Sequence, residues 1–208
     1  MAMDENNDKT IRAYEQGLRE YNAAAVPQVI GSLKDWVDAS LAVLPQGARV
    51  LEIGSAHGRD ADYIEARGFV VDRTDAASSF VKYMQSKGHQ ARTLNALTDD
   101  FGGPYAMVYA NAVLLHFTGE QVAHVLQKVR NALSDNGLFA FSVKIGEGDA
   151  WSDAKLNSPR YFTYWQEAPL RKLLADARFE TVFWEEGQTG HDNGTWYHIT
   201  AKRLDVSE

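Results

Sequence analysis

An apolar run over residues 50–53 leads into Glu52-x-Gly54-x-Ala56-x-Gly58, and Asp75 closes a second apolar run soon afterwards. Backbone comes close to a ligand only where side chains are absent or small, which Gly54, Ala56 and Gly58 provide. The residues after Gly58 read as the start of a helix, whose free amides suit a carboxylate or a phosphate. A carboxylate at the end of the following strand suits a ribose diol. Turn, amides and carboxylate together describe a pocket for an adenosine-type cofactor.

The glycine spacing narrows that choice. A dinucleotide fingerprint, G-x-G-x-x-G, needs glycine at 54, 56 and 59. Those positions hold Gly54, Ala56 and Arg59, a single match. No Gly-Lys-Ser/Thr follows, so the turn is not a P-loop.

These residues need elements to position them. Residues 1–8 read as a loose tail. A helix is expected over 9–25, with Ile11, Tyr14, Leu18 and Tyr21 on one face, and a second over 28–43. From Arg49 onward short apolar runs alternate with helical patterns. Strands are expected at 49–53, 69–74, 90–94, 105–111 and 138–143, with helices from Gly58 to Arg67, over 78–87, and after the capping box Thr118-x-x-Gln121. Residues 146–163 interrupt this rhythm with two glycines, Pro159 and an aromatic cluster. A helix at 166–176 and two strands at 179–185 and 195–202 close the chain. The last loop is too short for a crossover helix, so the final strands pair antiparallel. The expected fold is α/β, a doubly wound, mostly parallel seven-stranded sheet with helices on both faces. The expected organisation is an N-terminal helical lid (1–44) and one domain (45–208) carrying a substrate-side insertion (146–163).

Ligands of such sheets sit beyond the carboxyl ends of the strands. That rule nominates the 52–60 turn, Asp75 with Ala76, Asn95 to Leu97, Asn111 to His116, and Lys144 onward.

The turn and Asp75 resemble the acid-x-Gly-x-Gly-x-Gly signature of class I S-adenosylmethionine-dependent methyltransferases, with Ala56 as a departure. The likeness extends over residues 45–203. It implies a Rossmann-like sheet with six parallel strands and one reversed. It also implies that Glu52, Gly54, Ser55, Ala56, Gly58 and Asp60 shape the seat of the cofactor's methionine part. Asp75 with Ala76 would take the ribose, and Asn95, Ala96 and Leu97 would face adenine, Asn95 standing where many relatives have Asp. Ala106 stands where an Asp is usual in the fourth strand. Asn111 and Ala112 would lie by the sulfonium, and His116 would face the substrate. As an imidazole titrating near neutral pH, His116 is the candidate general base, and its protonation would slow the reaction in acid. It reads equally well as a core or helix-capping histidine. Tyr14 and Tyr21 would form a lid, as similar helices do in small methyltransferases. Lys144, Arg160, Tyr161, Tyr164 and His191 would surround the acceptor, an aromatic set that suits a compact, partly apolar molecule.

The resemblance therefore implies methyl transfer from S-adenosylmethionine to oxygen or nitrogen of a small molecule. Two alternatives are a cofactor-binding protein without turnover, kept open by Ala56 and Ala106, and a nucleotide-cofactor oxidoreductase, which the spacing disfavours. The composition sets limits on partners. The 208 residues carry a net charge of −7, with basic residues scattered among acids, which disfavours a nucleic-acid partner. There is no cysteine and no paired-histidine spacing, so no metal is expected. No apolar stretch has transmembrane length and the N-terminus is acidic, so a cytoplasmic protein is expected, with no membrane partner.

Overall fold

The computed structural model describes residues 2–188 and 195–205, with the side chains of 2–4 and 188 left aside. Seven strands form the main sheet: β1 (Arg49–Ile53), β2 (Val70–Asp75), β3 (Ala91–Thr93), β4 (Tyr105–Ala110), β5 (Leu133–Lys144), β8 (Phe179–Gln188) and β9 (Thr195–Arg203). Their order is β3-β2-β1-β4-β5-β9-β8. β1, β2, β3, β4 and β5 pair in parallel, and β9 runs antiparallel to both β5 and β8. This is the expected sheet, with one reversed strand inserted near its end.

Alternation along the strands sends side chains to two separate cores. Val50, Met107, Tyr109 and Ala140 face the layer of α3 (Gly31–Leu41) and α4 (Arg59–Glu65). Leu51, Val108, Phe139 and Phe141 face α6 (Gly119–Ala132) and α7 (Glu167–Asp176). Strands buried on both faces read as continuous apolar runs, which is why β1 is legible as such. α5 (Ser78–Ser86) follows β2 and buries Phe80, Val81 and Met84. The Thr118 capping box is formed: its hydroxyl accepts from the Gln121 amide, and Gln121 accepts from the Thr118 amide.

The N-terminal region departs from expectation in three ways. Helix α1 spans Ala2–Gln16, so the expected loose tail is helical, and Asn7 and Thr10 are buried. The expected 9–25 helix is two helices, because Gly17 separates α1 from α2 (Leu18–Ala24). A Cβ at Gly17 would lie 2.9 Å from the Ala13 carbonyl and 3.2 Å from Leu156, so the break lets the insertion pack against the helix pair. The second helix is shorter, and it is part of the body of the domain. Its Trp36 is fully buried, stacks on Tyr109 and His198, and donates to the Ile199 carbonyl and the Thr200 hydroxyl. Tyr14 of α1 and Tyr21 of α2 lie at the strand ends. Hydrogen bonds to α5 and to the insertion help to hold α1 there. Glu15 accepts from the Ser78 hydroxyl and the Ser79 amide at the start of α5, and the Thr10 hydroxyl accepts from the Tyr161 amide.

The insertion contains a small antiparallel ladder of β6 (Asp149–Ser152) and β7 (Arg160–Thr163). Among the described residues no helix is long and apolar enough to cross a membrane.

Candidate active site

The turn after β1 is tied crosswise to β2. Ser55 donates its amide to the Thr74 carbonyl and accepts at its hydroxyl from the Thr74 amide, while the Thr74 hydroxyl donates to the Glu52 carbonyl. Gly54 sits at φ +75°, and a Cβ there would lie 2.5 Å from Val113. Only a bare α-carbon leaves this passage open. Ala56, at φ +48°, adopts a left-handed conformation that is costly for a residue with a Cβ.

That strain aims an amide. Ala56 donates to one oxygen of Asp75 (2.9 Å) and Ala77 to the other (2.8 Å). Burial raises the Asp75 pKa to about 6, partly offset by these two amides. Each carboxylate oxygen keeps further lone-pair capacity for a donor in the cavity. Gly54, Ala56, Asp75, Ala76, Asn95 and Ala96 line one narrow cavity, with Phe80 and Leu94 as apolar walls. A diol acceptor, a backbone free of side chains and an apolar slot meet the needs of an adenosine-type cofactor. Asn95 contributes through the backbone turn it makes, because its side-chain oxygen already accepts from the Leu97 amide. Leu97 itself packs against the core outside the cavity.

Beneath the turn lies a polar hub. Asp60 accepts from Arg59, from the Tyr109 hydroxyl (2.9 Å) and from the Asn111 amide group (2.8 Å). Asn111 in turn accepts from the Ser142 hydroxyl, whose oxygen accepts from the Ala112 amide. This chain holds Ala112 at φ +58°. Glu52 is buried near Asp60 with one carboxylate oxygen lacking a partner. Burial, then repulsion from Asp60, raises its pKa to about 8. Glu52, Ser55, Gly58 and Asp60 thus shape the turn from behind and do not line the cavity.

A second, wider cavity of about 540 Å³ opens beside the first. Asn111, Lys144, Arg160 and Tyr164 line it, together with His57, Phe162 and Trp196. Four residues line both cavities: Tyr14, Tyr21, Ala112 and His116. They form a common wall.

The hydrogen bonds at this wall fix the state of His116. Its Nδ1 lies 2.6 Å from the Tyr161 carbonyl, which can only accept, so Nδ1 carries the proton. Nε2 then accepts from the Tyr14 hydroxyl at 2.9 Å, and Tyr14 accepts from Arg160 at 3.3 Å. Burial, reinforced by the Arg160 and Lys144 cations, lowers the His116 pKa to about 3. The sequence expectation of an imidazole titrating near neutral pH is therefore corrected. His116 is neutral at working pH, with its lone pair engaged. Tyr161 is also reassigned. Its side chain turns to Asp149 and Trp151, outside both cavities, and its carbonyl is what reaches the site.

The chain's sequence matches the family described as a methyltransferase domain over residues 25–182. The chain belongs to the methyltransferase family. It is a class I enzyme by its sheet order, and S-adenosylmethionine is the methyl donor of that class. No curated protein sequence matches it. Among solved structures it resembles the Burkholderia thailandensis 1,6-didemethyltoxoflavin-N1-methyltransferase, bound to 1,6-didemethyltoxoflavin and S-adenosylhomocysteine (TM-score 0.73, 21% identity, 98% of this chain and 89% of that one). It also resembles magnesium protoporphyrin IX methyltransferase from Synechocystis PCC 6803, bound to S-adenosylhomocysteine (TM-score 0.69, 17% identity, 98% and 100%). A third is a SAM-dependent methyltransferase from Methanosarcina mazei (TM-score 0.70, 14% identity, 85% and 99%). At these identities the likeness is one of fold.

The family match begins after α1 and α2, the two helices whose Tyr14 and Tyr21 line both cavities. Tyr14 and Tyr21 thus come from outside the matched region. His191 lies outside the described residues. Sequence reasoning missed Phe80, Leu94 and Phe117 in the first cavity, because apolar residues there carry the same signal as core. In the second it does not single out Arg59 or Lys155, although they lie in the nominated 52–60 turn and in the 146–163 insertion. Asp62, Glu65 and His89 also come together, but away from both cavities, where Arg73 donates to both carboxylates.

Proposed function

We propose that this methyltransferase transfers the methyl group of S-adenosylmethionine to an oxygen or nitrogen of a small molecule seated in the wider cavity. The observation that carries this reading is the wall shared by the two cavities at Tyr14, Tyr21, Ala112 and His116. A group in one cavity meets a group in the other only there. Bound S-adenosylmethionine supplies a methyl made electrophilic by its sulfonium. The protein's task is then alignment and exclusion of water.

Each part of that task has residues. Asp75 would accept from the ribose hydroxyls, and the Gly54 to Ala56 backbone and Asn95 with Ala96 would hold the rest of the cofactor. The Asp60, Asn111 and Ser142 chain holds Ala112 firm at the transfer point. Tyr14 and Tyr21 roof it. His116 serves best as a positioning residue that fixes Tyr14, because a neutral imidazole with its lone pair engaged and a pKa near 3 is a weak base. The acceptor would then react as a nucleophile already deprotonated or uncharged.

The test has two stages. S-adenosylhomocysteine should raise the melting temperature, since a ligand selective for the folded state stabilises it by mass action, and NAD(P) should not. The reverse result would sink the cofactor assignment. With S-adenosylmethionine and a panel of small acceptors, release of S-adenosylhomocysteine should follow. Binding without release across a broad panel would make the chain a binding protein.

A further inference from the structure

The lining of the wider cavity runs against the charge of the whole chain. The protein carries a net charge of −7, yet Arg59, Lys144, Lys155 and Arg160 line this cavity and no Asp or Glu does, among the described residues. These cations are not equivalent. Arg59 is paired with Asp60. Arg160 is 5% exposed, and among the described residues it meets no carboxylate. Among the described residues, the single hydrogen bond of its side chain is a long one to Tyr14, and its Nε is buried without a partner.

A buried guanidinium without an anion is expensive, because desolvation of the charge has no compensating attraction. Here the cost is borne on the wall of a cavity. The ladder of β6 and β7 places Arg160 opposite Ser152, one residue before Tyr161, whose carbonyl anchors His116. Arg160 is therefore seated by the same strand that seats the transfer point. Lys144 converges on the same place from the end of β5. Its Nζ lies 5.4 Å from the Phe162 ring centre, and the Arg160 guanidinium lies 5.0 Å from that ring. Both cations act on the buried His116 imidazole. Phe162, Tyr164 and Trp196 supply flat apolar surface beside them.

We propose that the acceptor is a small ring-bearing carboxylate, its carboxylate held by Arg160 and Lys144 and its ring laid against Phe162 and Trp196. The inference rests on the methyltransferase reading above and names the acceptor class for that site. A planar guanidinium pairs with a carboxylate through two parallel hydrogen bonds, which Lys144 alone does not offer. The attraction also draws such acceptors into an otherwise acidic protein.

The test uses the protein saturated with S-adenosylhomocysteine, whose binding is measured first by calorimetry. Failure there breaks the cofactor reading and leaves the acceptor question apart. Benzoate, 2-hydroxybenzoate, 4-hydroxybenzoate and indole-3-carboxylate are then titrated, each against its primary amide. At least one acid should bind at least tenfold more tightly than its amide, as expected for a hydrogen-bonded charge pair. In Arg160→Gln that preference should shrink to within about twofold, with S-adenosylhomocysteine affinity retained as the check on folding. Arg160→Lys should keep part of it. Lys144→Gln, at a more exposed position, should weaken acids selectively even if the Arg160 variants do not fold. Equal binding of acids and amides, no binding of any acid, or a preference untouched by both Gln variants would overturn the proposal.

Discussion

The two cavities of this methyltransferase are built on different principles. The narrow cavity, proposed for the cofactor, takes its polar edge from backbone and its walls from apolar side chains such as Phe80 and Leu94. Gly54, Ala56 and Ala77 present bare α-carbon or amide, and a single carboxylate, Asp75, gathers two of those amides. The wider cavity, proposed for the acceptor, is lined largely by side chains, from α1 with α2, the stretch leading into α3, the turn after β1, the segment after β4, the end of β5, the insertion with its β6 and β7 ladder, and the start of β9. An edge made of backbone changes only when the fold changes. A lining made largely of side chains changes one substitution at a time. The first suits a ligand common to a family, and the second suits an acceptor particular to one member.

Substitutions on either side of the shared wall test that division. Asp75→Ala should weaken S-adenosylhomocysteine at least tenfold by calorimetry, since hydrogen bonds to a charged group contribute about 1.5–3 kcal/mol each. Acceptor KM should move little. Comparable losses for both ligands would show that the halves are not separable.

The same residue predicts a pH dependence. Its pKa is raised to about 6 by burial, so it is ionised above that value and protonates as pH falls through it. S-adenosylhomocysteine affinity should therefore be level above pH 6 and fall by about tenfold per unit below it. Asp75's own contribution to folding runs the other way. The folded state binds this proton more tightly, so that contribution is present below the ordinary aspartate value of 3.8 and is lost as pH rises through about 6. A titration of binding from pH 5 to 8, alongside Asp75→Asn, separates the two. His116 should add no acid limb to the rate over this range, because its pKa lies near 3.

The wall itself gives a smaller effect. If His116 acts by fixing Tyr14, then Tyr14→Phe and His116→Ala should each lower kcat/KM by about tenfold, the upper size of a hydrogen bond between neutral groups. The double variant should be no worse than the worse single, as for two residues acting through one contact. A loss of about 10²–10⁴ confined to kcat in His116→Ala would restore the general-base role.

Ala56→Gly should show the least. Glycine relieves a left-handed backbone at a cost to the unfolded chain, leaving a net stabilisation of about 0.5–1 kcal/mol. A domain of this size should gain roughly 2–4 °C per kcal/mol in melting temperature. A loss of stability would mean that the Ala56 methyl is itself packed.

What was legible in the sequence follows the same line. The strands and their mostly parallel arrangement are readable because strands buried on both faces leave continuous apolar runs that alternate with helical patterns, and the capping box at Thr118 marks its helix without ambiguity. The open turn at 54–58 is readable because a backbone left bare requires small residues at fixed spacing. The acceptor side was read only in part. Tyr161 was nominated for its ring and serves through its carbonyl, a role that sequence does not encode. The break at Gly17 depends on Leu156, distant in the chain, so the 9–25 region reads as one helix until the insertion is packed against it. His116 was placed at the right strand end, but its protonation state depends on Tyr14 and Tyr161 meeting it from two other segments.

The common wall has a thermodynamic consequence. Tyr14 and Tyr21 sit on helices held by side-chain contacts, through Glu15 to the start of α5, through Thr10 to β7 and through Tyr14 to His116. A molecule that settles in either chamber stiffens a partition belonging to both. The ordering entropy spent by the first arrival is then spared the second, so each ligand should raise the other's affinity, and linkage requires the two factors to be equal.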